Sequence, residues 1–311
     1  MNLYRKLMPE TFLNRLRRSP LRWVLSGVLL YIAVFVIVSQ IYTLKMAQFS
    51  NKIMRVYSQL SAQNKKMAMP FSPDVETLLT PEKLDIFNPS TVFFSLLSFE
   101  KIRSEGETKL QRFIMAFKED LSKIDLSEVD LSGKALDFSG ANFSHANLTR
   151  VNFSNANLSS ANLSGADLTE ADLSGVNLID AVLVGADLSR ANLSGATLPN
   201  ADLTRAVLRE AIIIEADLTG VNLFFADLSG AILRESSLVG ADLSGVTLYH
   251  ADLIAVNFSR ARLSGADLNG ADLRYANLTT TTGLKQHQLD HGIVDGKTQL
   301  PEGFRRRKTV K

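Results

Sequence analysis

From Asp125 to Thr280 the chain repeats a five-residue alternation of small apolar, polar, large apolar and two turn-forming residues, most often Ala-(Asp/Asn)-Leu-Ser-Gly. Every fifth residue from Phe138 to Leu278 is Leu, Phe or Ile, 29 centres in unbroken register. Two places before each centre the residue is small, usually Ala (Ala141, Ala146, Ala156, Ala161) and sometimes Val (Val151, Val176, Val221). A helix with 3.6 residues per turn would scatter a five-residue period around its circumference and leave no apolar face, so the pattern predicts short extended segments instead. The Ser-Gly and Thr-Gly pairs bend the chain after each segment. Four bends close a square coil, and coils stacked at about 4.8 Å would give roughly 7 layers and a rod about 35 Å long.

These units resemble the pentapeptide repeat proteins. The resemblance implies a mainly β fold, a right-handed quadrilateral β-helix with the Ala and Leu positions pointing inward. Two earlier units, Ile124-Asp125-Leu126 and Val129-Asp130-Leu131, share the pattern but are offset by Lys134-Ala135, as a half-coil followed by a two-residue bulge.

Upstream the pattern changes. Trp23 to Leu44 is an uncharged run of 22 residues; as a helix it spans about 33 Å, enough to cross a bilayer. It is too long for a signal-peptide core and lacks an A-x-A cleavage signal. Arg15, Arg17, Arg18 and Arg22 press against its amino side, with fewer basic residues beyond it. The expectation is a single-pass membrane protein, in a bacterial inner membrane, with a cytoplasmic N-terminus and the solenoid on the exported side. Met46, Phe49, Ile53, Val56, Leu60 and Met67 then follow steps of three and four. Two readings stand: a stalk that pairs as a homodimer through 46–67, or one amphipathic helix resting on lipid or on its own domain.

The remaining segments read as connector and covers. Thr80-Pro81-Glu82-Lys83 carries a helix-start signature. Val92 to Phe99 is apolar but too short to span. Leu110, Phe113, Ile114, Phe117 and Leu121 mark one helix face, placed to cap the solenoid's open edge. After the last unit, Gly283 to Leu289 and the stretch through Gly303 resemble the family's closing helix and extended return. The organisation expected is a basic segment over 1–22, a transmembrane helix over 23–44, a juxtamembrane helix over 45–69, and a helical connector and cap over 70–123. The solenoid follows over 124–280, with a C-terminal cap and basic tail over 281–311.

Charge divides the chain in the same way. Net charge is +2 overall, but residues 124–280 carry 9 basic and 19 acidic side chains. An acidic rod disfavours direct nucleic-acid binding. With no Cys, disulfides and thiol chemistry are excluded. Ser and Asp recur as parts of the repeat, so no nucleophile–base set stands apart from it. His287 and His291, with Asp290 and Asp295 nearby, lack a third ligand motif. No catalytic residue, cofactor or metal is assigned, and the chain is read as a non-enzyme.

Binding candidates come from departures from the rule. The polar position is apolar at Val182, Val207, Ile212 and Ile232. Because residues 20 apart stack, Val207, Ile212, Ile214, Ile232, Tyr249 and Ile254 are expected to form one protein-binding patch, with Phe224 and Phe225 as a second, smaller one. Arg150, Glu170, Arg190 and Glu210 occupy equivalent turns and are expected to support stacking register. The functional expectation is a membrane-anchored, non-catalytic scaffold or interaction protein with an unidentified protein partner. The resemblance implies an alternative, because one branch of the family mimics DNA and protects or inhibits DNA gyrase.

Overall fold

The computed structural model describes residues 118–133 and 136–306, together with Gln48, Asn51, Arg55, Val56, Ser58, Gln59, Gln111 and Ile114. The expected membrane helix at 23–44, the basic segment at 1–22, and most of the juxtamembrane and connector segments lie outside the described residues. Among the described residues no helix is long and apolar enough to cross a membrane. The chain divides into two units, one of 1–54 with 69–106 and one of 55–68 with 107–311. In the first, only Gln48 and Asn51 are described, both helical and exposed.

The second unit is a four-sided β-solenoid. Parallel bridges join residues 20 apart, from Asp137↔Asn157 to Arg262↔Thr282. Four columns of bridge residues therefore define four faces, beginning at Asp137, Asn142, Asn147 and Asn152. Ahead of them the spacing is 22, as in Asp125↔Asn147 and Asp130↔Asn152, so two extra residues are accommodated between 130 and 137 as the sequence predicts. The Ala and Leu columns are buried along the whole rod. Phe138, Phe143 and Phe153 fill one coil near the N-terminal end in edge-on contacts, with ring centroids 5.6 to 5.8 Å apart.

Each corner is a four-residue turn. At all but one corner of the regular stack the N–H of the small residue donates to the C=O of the preceding centre, as Ala141 does to Phe138 at 3.0 Å. The residue just before the small one has positive φ, whether Gly140 (67°) or Arg150 (55°), which is the type II pattern that glycine meets without strain. The polar position has a structural task that its outward direction conceals. Every Asp and Asn there, from Asp125 to Asn277, accepts the backbone N–H two residues on, at 2.9 to 3.3 Å. These side chains hold the corner in an Asx turn, which is why the position reads Asp or Asn so consistently.

Both ends are covered. Coil pairing starts before Ile124: Leu121 is a buried centre whose N–H donates to Asn142, and Asp120 receives the Ser122 N–H as later units do. Leu121 therefore belongs to the first coil, where the apolar spacing alone placed it on the cap helix. Helical residues Arg55, Gln59 and Gln111 take up the edge. Gln59 Oε1 accepts the Asp125 N–H at 2.9 Å, Gln111 Nε2 donates to the Asp130 C=O at 3.0 Å, and Arg55 pairs with Asp125 at 3.2 Å while donating to the Ser127 C=O. Val56, one of the heptad positions, is fully buried in this cap. At that position the helix rests on its own domain.

At the other end a short helix, Gln286–Leu289, folds over the last coil. Buried Gln288 donates to the C=O groups of Leu263 and Ala266, and Thr298 donates to Leu273. The extended return pairs Ile293 with Asp272 and Gln299 with Asn277. Side chains thus satisfy edge groups that a further coil would otherwise bind.

Candidate functional site

The fourth face carries the main departure from the repeat. Along it the bridge residues run Asn152, Asp172, Asn192, Ile212, Ile232, Asp252 and Asp272. Ile212 and Ile232 pair directly between adjoining coils, and Ile212 is 37% exposed. Ile214 and Ile254 are half-buried on the corner that follows this face. They are two coils apart, with Arg234 on the coil between them. Val207 lies on the third face beyond the corner Arg209-Glu210, half-buried and bridged to Asp187 and Asp227. Tyr249 is exposed on the corner between the third and fourth faces, its ring against His250 at 4.2 Å. The six predicted residues therefore form a core of Ile212, Ile232 and Ile214, with Val207, Tyr249 and Ile254 at its margins.

Charges surround this strip in two distinct states. Arg209 binds Asp227 at 2.6 Å, Arg234 binds Asp252 at 2.7 Å and Arg274 binds Asp272 at 2.6 Å. Burial pushes the Asp227 carboxyl up, but bonds from Ser229 and Arg209 outweigh it and hold it below the usual carboxylate range. For Asp272 the Arg274 hydrogen bond is the main cause of a lowered value. Glu210, Glu215 and Glu235 are different. All three are exposed at positive-φ corner positions flanking the fourth face, and among the described residues none has an ion-pair partner within 4.0 Å. The cations beside the strip are neutralised, and three carboxylates are not.

The same place holds the one irregular corner. From Phe138–Ala141 to Leu278–Thr281 every corner has its direct turn hydrogen bond except Ile213–Ala216. Ser236, buried at a small-residue position of the next coil, inserts its hydroxyl there: Oγ accepts the Ala216 N–H at 3.0 Å and donates to the Ile213 C=O. Ile213 is also the one Ile among the 29 centres.

The second patch is larger than the sequence suggests. Phe224 and Phe225 meet edge-on at 4.5 Å on the corner between the second and third faces, and Phe225 is 57% exposed. Exposed Val182 and Val184 lie on the second face and the same corner column, two coils earlier. A sequence spacing of 40, two coils, places Val184 and Phe224 in one column. The Phe225 ring covers Gly245, where an added Cβ would come within 2.7 Å of it.

The predicted charge column closes only in pairs. Glu170 binds Arg190 at 3.5 Å and Glu128 binds Arg150 at 3.2 Å, whereas among the described residues no ion pair links Arg150 to Glu170 or Arg190 to Glu210. In the C-terminal cap, His287, Asp290, His291 and Asp295 are engaged locally. Asp290 accepts from Gln286, His291 Nδ1 contacts the His287 C=O, and Asp295 accepts from Thr298 and Lys297.

Comparisons with known proteins agree on the repeat. Eight copies of the Pentapeptide repeats family pattern match, over 137–175, 171–209, 186–223, 222–260 and 251–282. The chain is similar to HetL, a pentapeptide repeat protein involved in heterocyst differentiation regulation from the cyanobacterium Nostoc sp. strain PCC 7120. The identity is 31%, covering 62% of this chain and 95% of that one, with a TM-score of 0.35. A pentapeptide repeat protein from the Arabidopsis thaliana thylakoid lumen is 34% identical over 34% of this chain and 72% of that one, TM-score 0.33. QnrB1, a plasmid-mediated fluoroquinolone resistance protein, is 22% identical over 58% of this chain and 86% of that one, TM-score 0.30. A comparison with curated proteins finds no match. With its 29 centres in register and coil spacing of 20, the chain belongs to the pentapeptide repeat family.

Proposed function

We propose that this protein is a membrane-anchored, non-catalytic scaffold whose acidic solenoid binds a protein partner. The observation that carries the reading is the Ile212–Ile232 strip, Ile212 exposed and Ile232 half-buried, on a rod whose other bridge positions are mostly polar. A solenoid bonded coil to coil presents such a strip without the conformational cost that a loop would incur on binding. The anchor rests on the uncharged run from Trp23 to Leu44, and the exported orientation on the basic cluster before it.

A second reading is favoured by one observation, the excess of 19 acidic over 9 basic residues on the rod. That surface suits a DNA mimic acting on a DNA-binding enzyme, provided that the rod shares its compartment. Reporter fusions after Lys311 separate the two. Activity of a reporter that works only outside the cytoplasm supports the exported scaffold, and proximity labelling from the same position then reads its neighbours. Activity of a cytoplasmic reporter alone would overturn the orientation and favour the DNA-mimic reading.

A further inference from the structure

We infer that the fourth face, between Ile212 and Ile232, docks a basic amphipathic helix running along the rod. This rests on the scaffold reading and names the chemistry of its partner. Three features converge on the face. The apolar spine is Ile212 and Ile232, paired on adjoining coils, with Ile214 beside them. Its flanks carry Glu210 on one side and Glu215 and Glu235 on the other, all exposed and without an ion pair among the described residues. The neighbouring Arg209 and Arg234 are held by Asp227 and Asp252. An incoming segment thus meets an apolar centre with free negative charge on both edges, and it gains most by presenting apolar side chains flanked by Lys or Arg.

The backbone decides that the segment is a helix. Along this side the N–H and C=O groups are bonded to the coils above and below, as in Ile212 to Ala191 and Ile213 to Ile232. No open strand edge is therefore available for an added strand. Recognition must go through side chains. Coils repeat at about 4.8 Å and helical turns at 5.4 Å. A helix parallel to the rod therefore sets residues at steps of three and four over Ile212 and Ile232 in turn.

The test uses the purified full chain and a labelled synthetic peptide of about 18 residues, long enough to hold a helix. Leu occupies the three-four positions and Lys flanks them; a scrambled peptide of the same composition is the control. Binding is followed by fluorescence anisotropy. Glu210→Gln, Glu215→Gln and Glu235→Gln combined should weaken binding at least about tenfold. The equal charge change Asp137→Asn, Asp180→Asn and Asp202→Asn, on other sides of the rod, should leave it within about twofold. Ile212→Asn with Ile232→Asn should weaken it as the Glu variants do. These two variants are expected to fold, since the same face carries Asn at 152 and 192. Equal losses in both charge sets, or equal binding of the scrambled peptide, would show only general attraction to an acidic rod and overturn the assignment. So would absence of binding, or a drop in sedimentation mass in the Asn pair, which would make a second copy the occupant. The peptide assay reads this surface and proximity labelling reads the scaffold role, so either can fail alone.

Discussion

Ser236→Ala tests whether one hydroxyl opens the corner at Ile213–Ala216. In the native chain Ser236 Oγ serves both the Ala216 N–H and the Ile213 C=O from a site 1% exposed. Were the corner to stay open in the variant, both backbone groups would be buried without partners, at about 1–3 kcal/mol each. Were it to close, two hydrogen bonds would be exchanged for one direct turn bond, a net loss of about 1 kcal/mol. Removing a buried hydroxyl from apolar surroundings offsets part of that. Closure needs little movement, because Glu215 already has a φ of 55° like the other corners. The expected cost is therefore at most about 1 kcal/mol, or a Tm lowered by roughly 2–4 °C for a domain of this size. A crystal structure of the variant should show Ala216 N within the 2.9 to 3.2 Å of Ile213 O seen at the other corners of the regular stack. A loss above about 2 kcal/mol with the corner still open would refute the reasoning and assign the opening to Ile213.

Three further outcomes follow from the same geometry. Gly185→Ala and Gly245→Ala share a positive φ, but only the second meets a ring, at 2.7 Å from Phe225. By thermal unfolding Gly185→Ala should cost about 1 kcal/mol; Gly245→Ala should cost more, and the excess should vanish when combined with Phe225→Ala. Gln59→Ala leaves the Asp125 N–H at the solenoid edge without its partner, so faster exchange of that amide and of the first coil is expected at a cost of about 1–3 kcal/mol; unchanged exchange would contradict the cap. The carboxyls of Asp137, Asp167, Asp227 and Asp272 all titrate below their ordinary value. The unfolded chain binds more protons in that range, so their stabilisation is complete above about pH 4 and is lost as pH falls through the depressed folded values. Acid titration of the unfolding midpoint should show this decline, and Asp167→Asn together with Asp272→Asn should flatten it.

The repeat makes most of the fold legible because each unit states the same local rule, and a column can be read by adding 20. That arithmetic located the Ile212–Ile232 pair, while the closing helix and return were expected from the resemblance to the family. It did not reveal why Asp and Asn hold the polar position, since the Asx bond is made within a unit and looks like ordinary outward polarity. Nor did it reach Arg55 and Gln59, whose partners at Asp125 and Ser127 lie some 70 residues away with no shared period. The candidate surface was half legible for a more specific reason. Arg209-Glu210 and Arg234-Glu235 are adjacent in sequence, and adjacency alone does not say where each charge is placed. At a type II corner, however, successive residues point in different directions. Each Arg turns back over a face to an Asp of the next coil, 18 residues on, and each Glu is left at the edge. The position of the unpaired charge beside the strip is set by that division, and the inference of a basic partner rests on this placement, which the one-dimensional pattern does not carry.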